Sequence, residues 1–502
     1  MRVLLLNPLY KQSVGKKYER YFIRSGSRWP HSGVKLRGVA PHYLPFPFSL
    51  AYAASCLKSS SFDVQAIDGV ALNMSEEMLL QQIARINPKV IFYEFTTPTV
   101  DYDLYLAKKI KELINATVVI GGAHAAYFAP TIIQKHKSVD FVIRGDYEYV
   151  LADLMQTLER GQRTEIAGVV HLADGAIVDN GYPIDEEHSR NLRVPLRDIF
   201  PYNDRPNPTL YWDGFCQYRP ALQVQSSRGC KYKCSFCLNS QQEGRPRQYR
   251  VASAQQICAE IEEAMQKYYI REVYFDDDNF TQDMQHVDSI FQSMQERKRR
   301  IKWSGMASFS SLTEEIVQRL ASYGCIGLKL GIESGSNPVL RSITKSVDLK
   351  SVASIIARCR KCGIKTHLTF SIGFLDETLD DIKKTICYAQ SLDADSIQVS
   401  IATPLPGTEF FEMAKARGLL TNATWENYDA KRTSVIYPLN FYKKTLGRIR
   451  KDFLRNWFLR KALSPSWLIA HIPIIFRTLR GIGLILFCKQ LTAIFIDESK
   501  NS

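Results

Sequence analysis

Two kinds of apolar run alternate along the first 150 residues of the chain. Short unbroken runs, RVLLLNP, FDVQAIDG, KVIFYEFT, ATVVIGG and VDFVIRGD, have the length and β-branched content of buried strands. Between them lie FSLAYAASCLKSS, SEEMLLQQIARIN and YDLYLAKKIKELI, which are longer and carry apolar residues at helical spacing. Ser75 is placed to cap the second of these, with Glu76 and Glu77 in its first turn. Strands that alternate with helices run parallel, because each connection returns across one face of the sheet. The pattern predicts an α/β fold that begins with a Rossmann-like doubly wound parallel sheet over residues 1–185. The helix YVLADLMQTLERG closes it, and residues 160–182 read as a small β appendage. Its ligand edge is expected at the carboxyl ends of the strands.

Residues 186–215 include RPNPTLYWDGF, rich in Pro, Asn and aromatics, and read as a connector. A second series of alternating runs fills residues 216–440: ALQVQSS, REVYFDDDNFT, KWSGMASF, IGLKLGIESGS, IKTHLTFSIGF and SIQVSIATPLPGT. Helical stretches separate them, such as LTEEIVQRLASYG, with Thr313 as N-cap and Gly324 just past the end. Six strand–helix units predict a partial (β/α)6 TIM-type barrel with its chemistry at the strand carboxyl ends. Residues 441–502 form a basic helical C-terminal region. Its apolar stretch is broken by Arg477, Arg480 and Lys489, and no piece free of Lys and Arg reaches the ~18–20 residues a membrane span needs. An interfacial helix pair fits it better.

The composition, 45% hydrophobic and 23% charged over 502 residues, suits several packed domains. The net charge of +14 changes the picture because it is local. Residues 441–502 hold twelve Lys and Arg against three Asp and Glu, and residues 11–38 hold eight against one. Such patches favour local contacts with anions over a nucleic-acid coat, and no nucleic-acid partner is expected. The 11–38 run reads as a solvated loop over the ligand edge, in reach of phosphate or substrate. The apolar run in MRVLLLNPLY is too short for a secretory signal, which predicts a cytoplasmic protein whose 11 cysteines are thiols.

Cys230, Cys234 and Cys237 in SRGCKYKCSFC stand at C-x3-C-x2-C directly after a predicted strand. A structural zinc takes four ligands, and neither a second cysteine knuckle nor a His pair lies nearby. Three thiolates on one loop suit three corners of a cubic iron–sulfur cluster and leave one iron open to an outside ligand. The other cysteines fall on apolar patterns and read as core thiols, except that Cys216, fourteen residues before the triad, is in reach of the cluster as well as suited to a buried free thiol.

This spacing, with Phe236 before the last cysteine, resembles the signature of radical S-adenosylmethionine enzymes. YFDDDNFT resembles that family's second-strand motif, LGIESGS its fourth, SIGFLDET its fifth and PLPGT its sixth. The resemblance makes Asp277 and Asp278 candidates for the ammonium group of S-adenosylmethionine. Glu333 and Ser334 become candidates for its ribose and carboxylate, Pro404 for a place beside its adenine, and Phe236 for shielding the cluster and contacting the nucleoside. From the residues alone, Asp276 to Asp278 also suit a divalent cation, and Glu333 a solvated loop acid. Where the family usually reads G-x-P-G-E-T, this chain has Phe374, Leu375 and Asp376, so that turn differs.

PFPFSLAYAASCL, EFTTPTVDYDLYLAKKIKE, VVIGGAHAAYFAP and VDFVIRGDYEYVLADL resemble, in order, the cobalamin-binding domain fused to many such barrels. This implies cobalamin at the edge carrying Thr97, Gly121 and Gly122. AIDGVALNM lacks D-x-H-x-x-G, so no lower-axial His is expected, and His124 reads as a polar rim residue. The implied cofactors are a 4Fe-4S cluster, S-adenosyl-L-methionine and cobalamin, with an external electron donor of flavodoxin or ferredoxin type. PLPGTEFFEMAKARGLL, W-x-x-Y-D and RNWFLRKALSPSWL resemble the branch acting on hopanoids, other isoprenoid or acyl lipids, and tetrapyrrole esters. The implied activity is C-methylation of an unactivated carbon of a lipid-like small molecule. A radical oxidative cyclase on a tetrapyrrole or isoprenoid, and a non-catalytic cobalamin or redox sensor, stay open as alternatives. A methylthiotransferase needs a second cysteine triad, and residues 1–215 hold only Cys56. Residues 464–496 are expected to lie on an anionic membrane, peripheral at its inner face.

Overall fold

The first predicted strand, Arg2–Asn7, is buried from Val3 onward inside a seven-stranded sheet. The computed structural model describes residues 1–24, 31–38, 44–183, 192–201, 211–238, 241–242, 245–246, 249–431, 434–437, 443–463 and 472. Across the sheet, Asp63–Asp68, Arg2–Asn7, Val90–Glu94, Thr117–Gly121 and Phe141–Ile143 run parallel. Val169–Ala173 then adds antiparallel to the last of these, and Ala176–Asp179 antiparallel to Val169–Ala173. The segment at 160–182 therefore extends the main sheet and is no separate appendage. Ser75 caps the helix Glu76–Ile86, its hydroxyl accepting from Met78 N at 3.2 Å.

The basic run after the first strand is folded, against the solvated loop expected from its charge. Lys11–Val14, Tyr18–Ile23 and His31–Leu36 form a three-stranded antiparallel sheet. The reason is the YFI run within it: Tyr21 and Ile23 are at most 1% exposed and join the main core. Glu19 takes up charge locally by pairing with Lys35 on the facing strand.

The second sheet holds Ala221–Val224, Glu272–Phe275, Lys302–Ser308, Cys325–Glu333, Lys365–Ile372 and Ser396–Ile401 in chain order, all parallel. This is the partial barrel. Thr313 caps its helix Glu314–Ser322, and Gly324 follows at φ 89°, where a Cβ would stand 2.8 Å from Ile301 O. The helix Lys443–Ala462 turns Leu446, Phe453 and Trp457 inward, and Arg450 Nε donates to Val399 O at 2.7 Å. Leu459 and Leu463 stay exposed. Apart from Ile472, the segment 464–496 lies outside the described residues, and among the described residues no helix is long and apolar enough to cross a membrane.

One hydrophobic core joins the two sheets, running from Val3 and Leu57 through Phe46 and Tyr211 to Leu222, Phe275 and Trp303. Gln223, buried in the first barrel strand, accepts from Phe46 N at 2.9 Å and donates to Leu44 O at 3.1 Å. Arg228 pairs with Glu148, and Arg250 with Asp146. The cysteine loop is thereby tied, two residues before its first thiol, to the start of the helix Tyr147–Glu159 in the N-terminal half.

Candidate functional site

The loop that carries the triad is held from below by the second barrel strand. Asp277, fully buried, accepts from Ser226 N at 2.7 Å and from the hydroxyls of Ser226 and Ser227 at 2.6 Å each. Asp278 accepts from Gly229 N at 2.7 Å. Gln282 accepts from Lys231 N at 2.9 Å and donates to Gly229 O at 2.8 Å. The two aspartates singled out by sequence thus fix the backbone on which the cysteines stand, and both oxygens of Asp277 are engaged by that loop.

On its far side the loop is anchored by strand ends four to six. Ser235 N donates to Ile343 O at 3.1 Å, and Phe410 N donates to Ser235 O at 2.9 Å. Cys234 and Phe236 pack with Val339, Ile343, Phe374 and Phe410, and the rings of Phe236 and Phe374 are 5.6 Å apart. Burial pushes the Cys230 thiol up to about 11 and that of Cys234 to about 12. Iron reverses such a shift, since a bound metal ion strips the proton from a coordinating thiol. Among the described residues no three His, Cys, Asp or Glu side chains converge as ligands of a single ion. One zinc draws its sulfurs to ~2.3 Å from a common centre, whereas a cubic cluster spreads three thiolates over three irons. The donor set fits the cluster. Cys216 is placed elsewhere, under the influence of Glu272 and Asp213 at the opposite end of the strands, and burial holds its thiol well above the ordinary range.

Glu333 ends the fourth strand at φ 71°, just past a shift in strand register. A non-glycine residue in that region is strained and is held there by its surroundings. Here its carboxylate accepts from Lys345 Nζ at 3.3 Å and from Ser371 Oγ at 3.2 Å. Burial alone would lower the pKa of Lys345, but Glu333 and the Cys234 and Cys237 thiols outweigh it and hold the ammonium above its usual value. Lys345 therefore links Glu333 to the triad. Ser334 faces inward, its hydroxyl 3.0 Å from that of Thr385 and accepting from Ser336 N at 3.1 Å. Pro404 is buried, flanked by Ala402 in the cluster of Cys234 and by Leu405 in the cluster of Tyr428. In the fifth-strand turn Glu377 accepts from the backbone N–H groups of Gly373 and Phe374, and burial raises its carboxyl to about 8. Lys345 and Glu377 escaped the sequence reading. Glu377 had a signal, the acid of G-x-P-G-E-T, while Lys345 follows Glu333 by twelve residues in no recognisable pattern.

At the edge of the N-terminal sheet, Gly122 has φ 95° and a Cβ there would lie 2.5 Å from Phe95 O, so the turn requires glycine. Gly121 is crowded by Phe92 and Tyr147. Thr97 is buried, its hydroxyl 3.3 Å from His124 Nδ1. His124 is not on the rim. It is 3% exposed, between the rings of Phe128 at 4.8 Å and Trp425 at 4.9 Å, and burial lowers its pKa to about 3. Trp425 belongs to the barrel, so the two strand-end edges meet here. Among the described residues, several buried polar atoms at this edge have no hydrogen-bond partner: Asn7 Oδ1, Gln12 Oε1, two nitrogens of Arg20 and two of Arg24. Buried polar groups are ordinarily satisfied, so these suit a ligand rich in amides and phosphate, as cobalamin is.

Residues 224–389 match the Radical SAM superfamily, and residues 35–155 match the B12 binding domain. The chain is a radical S-adenosylmethionine enzyme with a B12 binding domain. The enzyme is 29% identical to an uncharacterized methyltransferase of Pyrococcus horikoshii, over 87% of this chain and 93% of that one. It is 22% identical to the anaerobic magnesium-protoporphyrin IX monomethyl ester cyclase of Rubrivivax gelatinosus, over 82% and 70%. With the hopanoid C-3 methylase of Methylococcus capsulatus it shares 24% identity over 72% and 67%. Its fold is that of the methyltransferase TsrM of Kitasatospora setae, solved with cobalamin and a 4Fe-4S cluster, at a TM-score of 0.63 and 17% identity over 84% and 79%. The cofactors of the enzyme are accordingly a 4Fe-4S cluster, S-adenosylmethionine and cobalamin.

Proposed function

We propose that the enzyme methylates an unactivated carbon of a lipid-like small molecule held between its two strand-end edges. The observation that carries this is the meeting of those edges: Trp425 of the barrel lies on His124 of the N-terminal sheet, and Arg228 before the triad pairs with Glu148. When bound, the cluster with S-adenosylmethionine supplies a hydrogen-abstracting radical, and cobalamin supplies the methyl group. The chain's part is to position and to exclude water. Cys230, Cys234 and Cys237 hold the cluster, with Asp277 and Asp278 acting through their loop. Glu333, with Lys345, faces the polar end of S-adenosylmethionine. Phe236, Ser334 and Pro404 line its nucleoside, and Thr97, Gly121 and Gly122 border the corrin. In this reading residues 1–185 are the corrinoid domain and 216–440 the radical domain.

The hopanoid methylase relative supports a lipid-like substrate, as do Leu459 and Leu463, exposed beside Arg460 and Lys461 at the end of the helix Lys443–Ala462. Docking to an anionic membrane, and reduction by a flavodoxin or ferredoxin, belong to the same reading. The cyclase relative favours ring formation as the second reading. The deciding experiment incubates the reconstituted enzyme, under reduction, with methyl-deuterated S-adenosylmethionine, hydroxocobalamin and a total lipid extract. A product carrying deuterated methyl is expected. Loss of hydrogen without added carbon would replace methylation by cyclisation. Intact S-adenosylmethionine under all conditions would leave only the sensor.

A further inference from the structure

The strand Tyr18–Ile23 and the residue after it put Arg20, Phe22 and Arg24 on one face, because side chains alternate along an extended chain. Tyr21 and Ile23, on the other face, are in the core. Arg20 is 7% exposed and Arg24 1%. Arg24 Nη1 pairs with Asp103, whose other oxygen accepts from Thr99 Oγ1 at 2.6 Å. Among the described residues Nε and Nη2 of Arg24 have no partner, and neither have Nε and Nη1 of Arg20.

The surroundings explain why no protein group takes them. Arg20 lies 5.0 Å from the centre of the Phe22 ring and Arg24 5.6 Å from that of Tyr102, with Tyr10 stacked on both rings. The nearby acids are engaged with other donors: Glu426 accepts from the Tyr10 hydroxyl at 2.6 Å and Asp429 from Ser32 Oγ at 2.7 Å. Lys431 adds a further cation, bonded to Ser32 O. A guanidinium cannot shed its proton, so burial with idle N–H groups leaves a desolvated charge. An oxyanion answers both the charge and the planar fork of donors.

We propose that Arg20 and Arg24 form a binding site for an oxyanion, a phosphate or carboxylate carried by a molecule bound between the two domains. This rests on the reading above that a ligand occupies that edge. Two sources share the chemistry: an acidic group of the substrate, and the nucleotide phosphodiester of the corrinoid.

The test uses the full chain with its cluster reconstituted. Thermal unfolding is followed against inorganic pyrophosphate at ionic strength held constant with potassium chloride. Affinities for cobalamin, and for cobinamide, which lacks the nucleotide, are measured in parallel. Pyrophosphate should raise the wild-type midpoint, and Arg20→Gln should weaken that response at least about tenfold, the worth of one charge-assisted hydrogen bond. Without added anion Arg20→Gln should unfold no lower than the wild type, because a neutral amide replaces a buried guanidinium whose Nε and Nη1 have no hydrogen-bond partner among the described residues. If the substrate brings the anion, the pyrophosphate effect persists with cobalamin bound and both corrinoids bind the variant as they bind the wild type. If the corrinoid brings it, pyrophosphate competes with cobalamin but not with cobinamide, and the variant loses affinity for cobalamin alone. The site is overturned if pyrophosphate acts no differently from chloride while the variant binds both corrinoids normally. It is equally overturned if Arg20→Gln alone lowers the anion-free midpoint by several degrees, which marks a structural arginine. Failure of the wild type to hold any corrinoid would sink the proposed function and leave the pyrophosphate titration to decide the site.

Discussion

The two cofactor edges are both made of parallel strand ends, yet they satisfy their polar groups differently. At the barrel edge the acids are answered from within: Asp277 by Ser226 and Ser227, Glu333 by Lys345 and Ser371, one oxygen of Glu377 by its own turn, and the buried atoms left without partners there among the described residues include the neutral Ser235 Oγ and Asn279 Nδ2. At the N-terminal edge Asn7, Gln12, Arg20 and Arg24 keep buried atoms without partners among the described residues. The barrel edge is preorganised, so that iron meets a loop already in place. The N-terminal edge is completed by what binds there. An enzyme that must fix a cluster tightly and accept a large polar cofactor has reason to build the two edges differently.

The largest contrast should come from the triad itself. Cys234→Ala removes one of the three proposed cluster ligands and should take reconstituted iron from about four per chain to background. Absorption of the cluster should vanish with it, while corrinoid affinity stays as in the wild type. Parallel loss of corrinoid would show that the edges fold as one unit and break the comparison.

Next in size is the clamp beneath the loop. Asp277→Ala leaves one backbone and two hydroxyl donors buried without their acceptor and should cost ~3–5 kcal/mol, read as a fall in the unfolding midpoint. Asn7→Ala at the other edge removes a single hydrogen bond to Asp68 and should cost only about 1 kcal/mol. Equal losses would mean that the N-terminal edge is as tightly self-satisfied as the barrel.

These residues also show how far the chain could be read. The strand runs and their alternation announced both sheets, because a buried parallel strand is apolar on both faces and little else makes such a run. The caps at Ser75 and Thr313 were legible for the same local reason. The cysteine spacing singles out a candidate site because three thiols on one loop have few other uses. Long-range pairings were not legible. Lys345 reaches Glu333 and the triad only through the fold, and the aspartates of YFDDDNFT meet the loop across about fifty residues of chain. The three-stranded sheet of Lys11–Val14, Tyr18–Ile23 and His31–Leu36 is not legible from charge, because its YFI run, and not its basic residues, decides its burial. His124 was placed on the rim because the residue that buries it, Trp425, lies in the other domain.

Gly122→Ala sharpens the comparison on the N-terminal side. A Cβ there would meet Phe95 O at 2.5 Å, on a backbone at φ 95°. Left-handed backbone alone costs about 1–2 kcal/mol for a residue with a Cβ, and the collision adds to it, so a loss of ~3 kcal/mol is expected. Corrinoid affinity should fall while iron content holds. A variant with normal corrinoid binding would show that this turn is structural only.

The last effect is one of pH, and it has opposite signs at the two edges. Burial lowers the pKa of His124 from 6.5 to about 3, so the unfolded chain takes up its proton first as pH falls. The stability tied to its neutral form is present above pH 6.5 and is lost as pH falls toward 3. Burial raises Glu377 from 4.5 to about 8, so the folded chain holds that proton longer as pH rises. Its contribution is present below pH 4.5 and is lost as pH climbs toward 8. Each slope approaches ~1.4 kcal/mol per pH unit inside its window. Denaturant midpoints measured from pH 4 to pH 8 should therefore respond on one side only to each neutral replacement. His124→Gln should flatten the acid limb, and Glu377→Gln, which keeps an acceptor for Gly373 and Phe374, should flatten the alkaline one. A His124→Gln curve parallel to the wild type below pH 6 would mean that the imidazole is reached by water, and that Trp425 does not close the N-terminal edge.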